Sequence, residues 1–229
     1  DVCEPSSLSA ACAGAQTVIS LVGRHYARTK EILWSVDAEG NKNLIAAGKA
    51  AGVKHFVLMS LLWADRDYAP VILPAKREAE TALRESGMGY SILRPSTFMT
   101  GPNSLVGMLG PPIERWGLAV IPAPDSGPIS FISTQDLAEA IVRIGTQPAR
   151  NRAYELGGSE GLTLRQASLK VGKSLGRTVR VVAVPRVTLK VLGTLLKPLS
   201  FNAYESYLFL EMMAEHGYHC APDTLREIL

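Results

Sequence analysis

The chain has 229 residues, of which 47% are hydrophobic and 20% charged, and this composition excludes a disordered polypeptide and favours one globular domain. Its 24 basic and 21 acidic residues give a net charge of +3, which argues against a nucleic-acid partner. Three widely spaced cysteines, no signal sequence and no unbroken apolar stretch predict a cytoplasmic protein without a membrane span.

The first elements along the chain predict alternating strands and helices. Residues 15–23 are a β-branched apolar run ended by glycine, which is typical of a strand buried on both faces. Residues 36–51 carry apolar side chains at spacings of three and four and therefore predict a helix. Gly40 within it is predicted to let that helix lie close to a sheet. A second buried strand is predicted over residues 55–60.

The next segments continue the alternation. A helix is predicted over residues 74–86, because Pro74 stands at its start and Gly87 just beyond its end. A third strand, residues 90–94, ends at Pro95. Strands and helices in this order predict an α/β fold, with a parallel sheet, right-handed crossovers and helices on both faces.

The second half predicts two further strands and several helices. Thr163 and Gln166 form a predicted capping box, in which each side chain satisfies a backbone N–H at the start of a helix. The tail from residue 187 to residue 229 reads as helical. The other predicted elements are helices over residues 134–144 and 163–175 and strands over residues 153–156 and 178–184.

Four motifs, in order, resemble NmrA-like and other atypical short-chain dehydrogenase/reductase proteins. They are residues 36–45 with 51–60, residues 86–95 with Phe98, and residues 132–138, and the resemblance runs from Asp1 to about Pro185. It implies a Rossmann-like fold that binds NADP or NAD. It also implies hydride transfer to an unknown small organic substrate in the full-length form.

The family's phosphate-binding turn has no counterpart at the expected place. In the family the first strand ends in a glycine-rich turn that receives the cofactor pyrophosphate. Gly157, Gly158 and Gly161 come too late in the order of elements and are interpreted as a turn. By resemblance Asp1 follows the family's third strand, so we expect a Rossmann domain incomplete at the N-terminus that binds cofactor weakly.

The resemblance also predicts two regions along the chain. Residues 1–150 are predicted to form a partial NAD(P)-binding Rossmann domain, and residues 151–229 a small, mostly helical, substrate-side region of the same domain. The loss of a central strand would expose a sheet edge. A fragment of a longer protein, a second copy of the chain, another partner chain or an altered packing would each explain that edge.

Lys76 and Ser60 are the predicted catalytic residues. They stand at the spacing of the family's Ser, Tyr and Lys constellation, in which the lysine bonds the nicotinamide ribose. The tyrosine position is Ile72, which cannot transfer a proton. Tyr68 is either its substitute or an ordinary loop tyrosine, and Lys76 is either a cofactor contact or part of a solvated helix face.

The predicted cofactor-binding residues all follow strands of the sheet or lie on the next helix. Proline lacks the N–H that a strand ladder needs, so the chain is expected to turn away from the sheet at Pro95. Gly23 ends the first strand and is either a cofactor contact or a plain turn residue. The full set is Gly23, Ser60, Lys76, Pro95, Ser96 and Phe98.

A metal site is not predicted. His216, His219 and Cys220 are too few for a structural zinc site, which needs about four ligands. For His25 and His55 we expect surface or strand-end positions without a catalytic or metal-binding role.

The missing tyrosine leaves two functions open. The first is an NAD(P)-dependent oxidoreductase, in which the cofactor carries the hydride and the protein binds and orients the cofactor. The second is a non-catalytic nucleotide-binding protein, either a redox sensor or a complex-assembly protein, and the isoleucine at position 72 favours it.

Overall fold

The computed structural model describes residues 1–24, 27–101, 104–221 and 223–229, so the prediction for His25 lies outside the described residues. The chain forms two compact units. The first comprises Asp1–Pro95, Leu137–Leu156 and Thr224–Leu229, and the second comprises Ser96–Asp136 and Gly157–Asp223. The division at residue 150 stays a prediction.

The described residues form strands that we number in chain order as β1 (Thr17–Ser20), β2 (His55–Met59), β3 (Gly89–Pro95), β4 (Thr97–Phe98), β5 (Leu118–Ala123), β6 (Ile129–Ile132), β7 (Arg152–Leu156), β8 (Gly161–Leu162) and β9 (Arg180–Pro185). The α-helices are α1 (Leu8–Cys12), α2 (Lys30–Trp34), α3 (Asn41–Ala50), α4 (Ile72–Glu85), α5 (Leu105–Trp116), α6 (Thr134–Thr146), α7 (Leu164–Ser174), α8 (Arg186–Leu196), α9 (Phe201–His216) and α10 (Asp223–Ile228). A 3₁₀ turn covers Pro5–Ser7, and Ser35–Gly40 is a π-helical turn.

The first unit is built on a four-stranded sheet in the order β1-β2-β3-β7, and every pair in it is parallel. Phe56 and Leu58 of β2 pack against α3 and α4 on one face. Gly145 of α6 lies against Ile19 and Val57, which point to the other face because side chains alternate along a strand. The predicted parallel sheet with helices on both faces is confirmed.

The first predicted helix differs from the structure at its start. Its residues up to Gly40 belong to the π-helical turn, and α3 begins only at Asn41. A Cβ at Gly40 would lie 2.7 Å from Cγ2 of Val2. Gly40 therefore admits the N-terminal segment rather than a sheet, and that prediction is wrong.

The helix predicted from Pro74 begins two residues earlier, at Ile72. Proline fits there because backbone N–H groups in the first turn of a helix have no partner within the helix. β3 ends at Pro95 as predicted, and the carbonyl of Pro95 still accepts a hydrogen bond from the N–H of Leu62 at 3.0 Å. The next strand, β4, belongs to another sheet.

The second unit contains two small sheets. β6 pairs with β4 in parallel and with β8 antiparallel, while β5 and β9 form a separate parallel pair. Ile113, Ala119 and Val171 pack together between α5, β5 and α7. The predicted capping box is confirmed, since Thr163 and Gln166 exchange side-chain to backbone hydrogen bonds.

The predicted helical tail is also confirmed, as α8, α9 and α10. Gly193 is the buried residue of α8, and a Cβ there would come within 2.4 Å of ring atoms of Tyr207 on α9. The two helices therefore pack closely at this glycine. In the described part of the chain, every helix is too short or too polar to cross a bilayer.

Candidate functional site

The first unit brings the carboxyl ends of its parallel strands to one edge of the sheet. In open α/β folds ligands bind at this edge, outside the carboxyl ends of the strands. Gly23 lies in the segment after β1, Ser60 directly follows β2, and Pro95 ends β3. Lys76 lies on α4, the helix that follows β2.

Lys76 is buried, with only 8% of its side chain exposed. Its Nζ forms an ion pair with Oδ1 of Asp37 at 2.8 Å and donates to the backbone carbonyl of Val22 at 3.0 Å. Lys76 is therefore not part of a solvated helix face. An ammonium group has three protons, so these two described partners leave one proton for a further acceptor.

Asp37 was missed by the sequence analysis. It lies in the π-helical turn, its side chain is 0% exposed, and its Oδ2 accepts from the backbone N–H of Arg24 at 2.8 Å. Asn41 donates to the carbonyl of Asp37 at 3.0 Å and accepts from the hydroxyl of Ser20 at 2.7 Å. Local π-helical turns are frequent at functional sites, but they leave no pattern in the sequence.

Gly23 lies directly against the ion pair. A Cβ at this position would be 3.0 Å from Oδ1 of Asp37 and 3.1 Å from Nζ of Lys76. Glycine thus lets the segment after β1 lie against both side chains. The structure brings Gly23, Asp37 and Lys76 together, and we call these three residues the Asp37–Lys76 cluster.

Ser60 belongs to a different network. Its hydroxyl donates to Oε1 of Glu80 at 2.5 Å, and Arg94 holds both carboxylate oxygens of Glu80 at 2.9 and 2.7 Å. Arg94 also bonds Asp65 at 2.5 Å. Burial disfavours the charge of Arg94, but the bonds and charges of Glu80 and then Asp65 outweigh it and raise its pKa.

The segment after β2 is attached at several further points. Arg77 of α4 donates to the carbonyls of Ala64 and Arg66 at 2.8 and 2.6 Å and pairs with Asp67 at 2.6 Å. Tyr68 lies in this segment, with its ring 5.4 Å from that of Trp63. Tyr68 precedes α4, which starts at Ile72, and its substitution for the missing tyrosine stays a prediction.

Ser96 and Phe98 belong to the second unit. Ser96 is buried, and its hydroxyl has no hydrogen-bond partner among the residues that the structure describes. Phe98 lies in β4, paired with Ile132.

The glycine pair, His219 and Cys220 lie close to β6 in the second unit. A Cβ at Gly158 would be 2.2 Å from the backbone oxygen of Phe131, and one at Gly157 would be 2.5 Å from Sγ of Cys220. These glycines let the chain pass close to β6. Nδ1 of His219 bonds the hydroxyl of Ser130 at 2.9 Å.

Residues 1–148, more than half of the chain, match the profile of a family described as NAD(P)H-binding. The chain belongs to this family. The chain is 33% identical over 142 residues to an NAD(P)H azoreductase of Xenophilus azovorans, and this match covers 62% of the chain and 48% of the relative. It is 27% identical over 219 residues to photosystem II assembly factor Ycf39 of Synechocystis, which covers 93% of the chain and 65% of that protein.

The fold is also similar to that of a solved oxidoreductase. A crystal structure of an NADPH-dependent quinone oxidoreductase of Escherichia coli, complexed with NADPH, superposes with a TM-score of 0.80 at 22% identity. The match covers 100% of the chain and 76% of the other protein. The chain spans 65%, 49% and 48% of the length of three curated relatives. The Rossmann-like NAD(P)-binding fold that the sequence resemblance implied is confirmed.

Proposed function

We propose that the protein is an NAD(P)H-dependent oxidoreductase that transfers hydride to a small organic acceptor, with this chain as part of the active full-length form. The Asp37–Lys76 cluster carries the proposal. It places a buried ammonium, with one proton not taken by any described residue, beside the segment after β1, at the sheet edge where such folds bind ligands.

The residues present fit the cofactor that the family binds. Gly23 lets the segment after β1 lie against Lys76 with no side chain between them, and the third proton of Lys76 suits a ribose hydroxyl. The predicted cofactor contact of Ser96 stays a prediction; its buried hydroxyl has no partner among the described residues. The bound nicotinamide would supply the hydride, and Lys76 would bind and orient the cofactor.

The isoleucine at position 72 limits which kinds of substrate could accept the hydride. Reduction of a simple carbonyl needs a positioned proton donor, and an isoleucine four residues before Lys76 supplies none. An acceptor that delocalises negative charge after hydride transfer, such as a quinone, takes its proton from water and needs no such donor. The similarity to the azoreductase and the quinone oxidoreductase supports this class.

The test uses the full-length protein and its Lys76→Met variant, which keeps most of the stem and removes the charge. Loss of a hydrogen bond from a charged donor costs about 1.5 to 3 kcal/mol, so the dissociation constant for NADPH should rise about ten- to a hundredfold. Fluorescence titration measures it. Lys49→Met, an exposed lysine of α3, is the control. Equal affinities of Lys76→Met and the parent would disprove the assignment.

A second candidate is a non-catalytic nucleotide-binding protein that senses redox state or assists assembly of a complex. The isoleucine at position 72 favours it, as does the 93% coverage of this chain by its match to an assembly factor. One assay distinguishes the two functions. An oxidoreductase consumes NADPH when quinone or azo acceptors are added, whereas a non-catalytic nucleotide-binding protein binds NADPH and leaves these acceptors unreduced.

The proposal includes a cytoplasmic location and an oligomeric state. The three cysteines are free thiols, as expected in a reducing compartment. Among the described residues β1 pairs only with β2, and Ile19 and Leu21 are exposed there. A second copy or a partner chain would cover this edge.

A further inference from the structure

Helix α8 and the turn after it expose an apolar patch within the second unit. The patch consists of residues that would normally be buried, namely Val187, Val191, Leu192, Leu195 and Leu199. Exposed apolar residues are ordinary when they occur singly, but a contiguous set marks an interaction surface.

The spacing of these residues makes the patch continuous. Val187, Val191 and Leu195 are separated by four residues each and therefore lie above one another on one side of the helix. The opposite side of α8 is fixed, because Gly193 packs on Tyr207 of α9. The apolar side is thus the outward one, and it is not available to the core of its own unit.

The charged residues of the segment that carries the patch have a single sign. Residues 161–204 contain no aspartate or glutamate, while the other residues of the chain hold 16 basic and 21 acidic side chains. Lys190, between Val187 and Val191, is exposed and forms no ion pair with any described residue. The basic residues of the segment are Arg165, Lys170, Lys173, Arg177, Arg180, Arg186, Lys190 and Lys197.

We propose that α8 and its following turn dock on an anionic lipid bilayer, with the apolar patch in the interfacial region and the basic residues on the lipid headgroups. Helices with an apolar face and only basic charge lie in the plane of membrane interfaces in this way. A nucleic acid would use the basic residues but leave the apolar patch in water. A second copy of the chain would bring the same basic segment against itself.

Flotation of the full-length protein with lipid vesicles tests the proposal. We expect binding to vesicles of phosphatidylcholine mixed with phosphatidylglycerol and little binding to pure phosphatidylcholine. Leu195→Asp, at a residue 61% exposed, should weaken binding at least about tenfold, because it places a carboxylate in the interface. Lys190→Glu should weaken it about fivefold or more, and high salt should do the same.

Matched controls lie in the first unit. Val142→Asp changes a valine of α6 that is 60% exposed, and Lys49→Glu reverses an exposed lysine of α3, so both should bind vesicles as the parent does. Thermal unfolding of each variant verifies that it is folded.

Three results would overturn the proposal. One is absence of binding to anionic vesicles at low salt. Another is equal loss of binding in Leu195→Asp and Val142→Asp. The third is a dimer of the parent, seen by sedimentation, that Leu195→Asp converts to a monomer, because a second copy would then occupy the patch.

Discussion

At the scale of single residues, the ion pair of Asp37 with Lys76 stabilises the candidate site. Both side chains are removed from water, and each satisfies the charge of the other. Removal of one partner from a buried pair leaves an uncompensated charge, whereas replacement of both by apolar groups is often neutral.

We therefore predict that Asp37→Asn lowers the free energy of unfolding by about 3 to 5 kcal/mol, since Lys76 stays buried without its anion. The double variant Asp37→Leu with Lys76→Met should recover most of that loss. Urea unfolding of the three proteins measures both effects. A loss below about 1 kcal/mol for Asp37→Asn would mean that water reaches Lys76.

Ser96 supplies a prediction about stability. Its buried hydroxyl has no hydrogen-bond partner among the described residues, and such a group costs about 1 to 3 kcal/mol, so Ser96→Ala should raise the melting temperature. Ser126 is the matched control, because its buried hydroxyl accepts from the N–H of Leu164 at 3.0 Å. Ser126→Ala should lower the melting temperature. Equal shifts in the two variants would contradict this explanation.

At the scale of elements, the sequence predicted the first unit well because its signals are local. Buried strands such as β2 are unbroken apolar runs, and the α4 segment carries a proline in its first turn and a glycine past its end. The sequence predicts no element for the α5 segment. It contains Pro111 and Pro112, residues that normally break a helix, and only tertiary packing of Ile113 against β5 and α7 reveals it.

The candidate site was predicted in part for the same reason. Lys76 was found from its spacing to Ser60, but Asp37 reaches it only through the fold, and no local pattern pairs residues 39 positions apart. Ser60 was grouped with Lys76 by spacing, whereas its hydroxyl bonds Glu80. Their predicted catalytic roles stay predictions.

The glycine next to β6 supplies a prediction about element packing. Gly158→Ala would place a Cβ 2.2 Å from the backbone oxygen of Phe131, which cannot move aside without shifting β6, so we expect a loss of about 2 kcal/mol or more. Gly48→Ala in α3 is the control, because its Cβ would meet only ordinary contacts at 3.6 Å. Higher helix propensity should make Gly48→Ala neutral or stabilising. Chemical unfolding compares the two variants, and equal effects would contradict the packing explanation.

At the scale of the whole molecule, stability should depend on pH through His55. This residue is buried in β2, where its Nε2 bonds the hydroxyl of Ser91 at 3.0 Å, and burial lowers its pKa. The unfolded chain takes up a proton near pH 6.5 while the folded chain stays neutral until its lower pKa is reached. Stability from this group is therefore lost as the pH falls through that window.

His55→Gln removes the titrating group and keeps a polar side chain. We expect the parent to lose more stability than this variant between about pH 7 and about pH 5, as measured by urea unfolding at each pH. Parallel pH profiles would show that other groups dominate the acid sensitivity of the protein.

The bonds that hold the segment after β2 affect how fast a ligand can bind and dissociate. Arg77 and Arg94 bond this segment at Ala64, Asp65, Arg66 and Asp67. To swing open it would have to break two ion pairs and two carbonyl contacts in one event, so we expect opening to be a rare fluctuation rather than a step in each cycle. For the proposed cofactor we then expect rates of entry and release that are set by diffusion and affinity, without a slow gate at this segment.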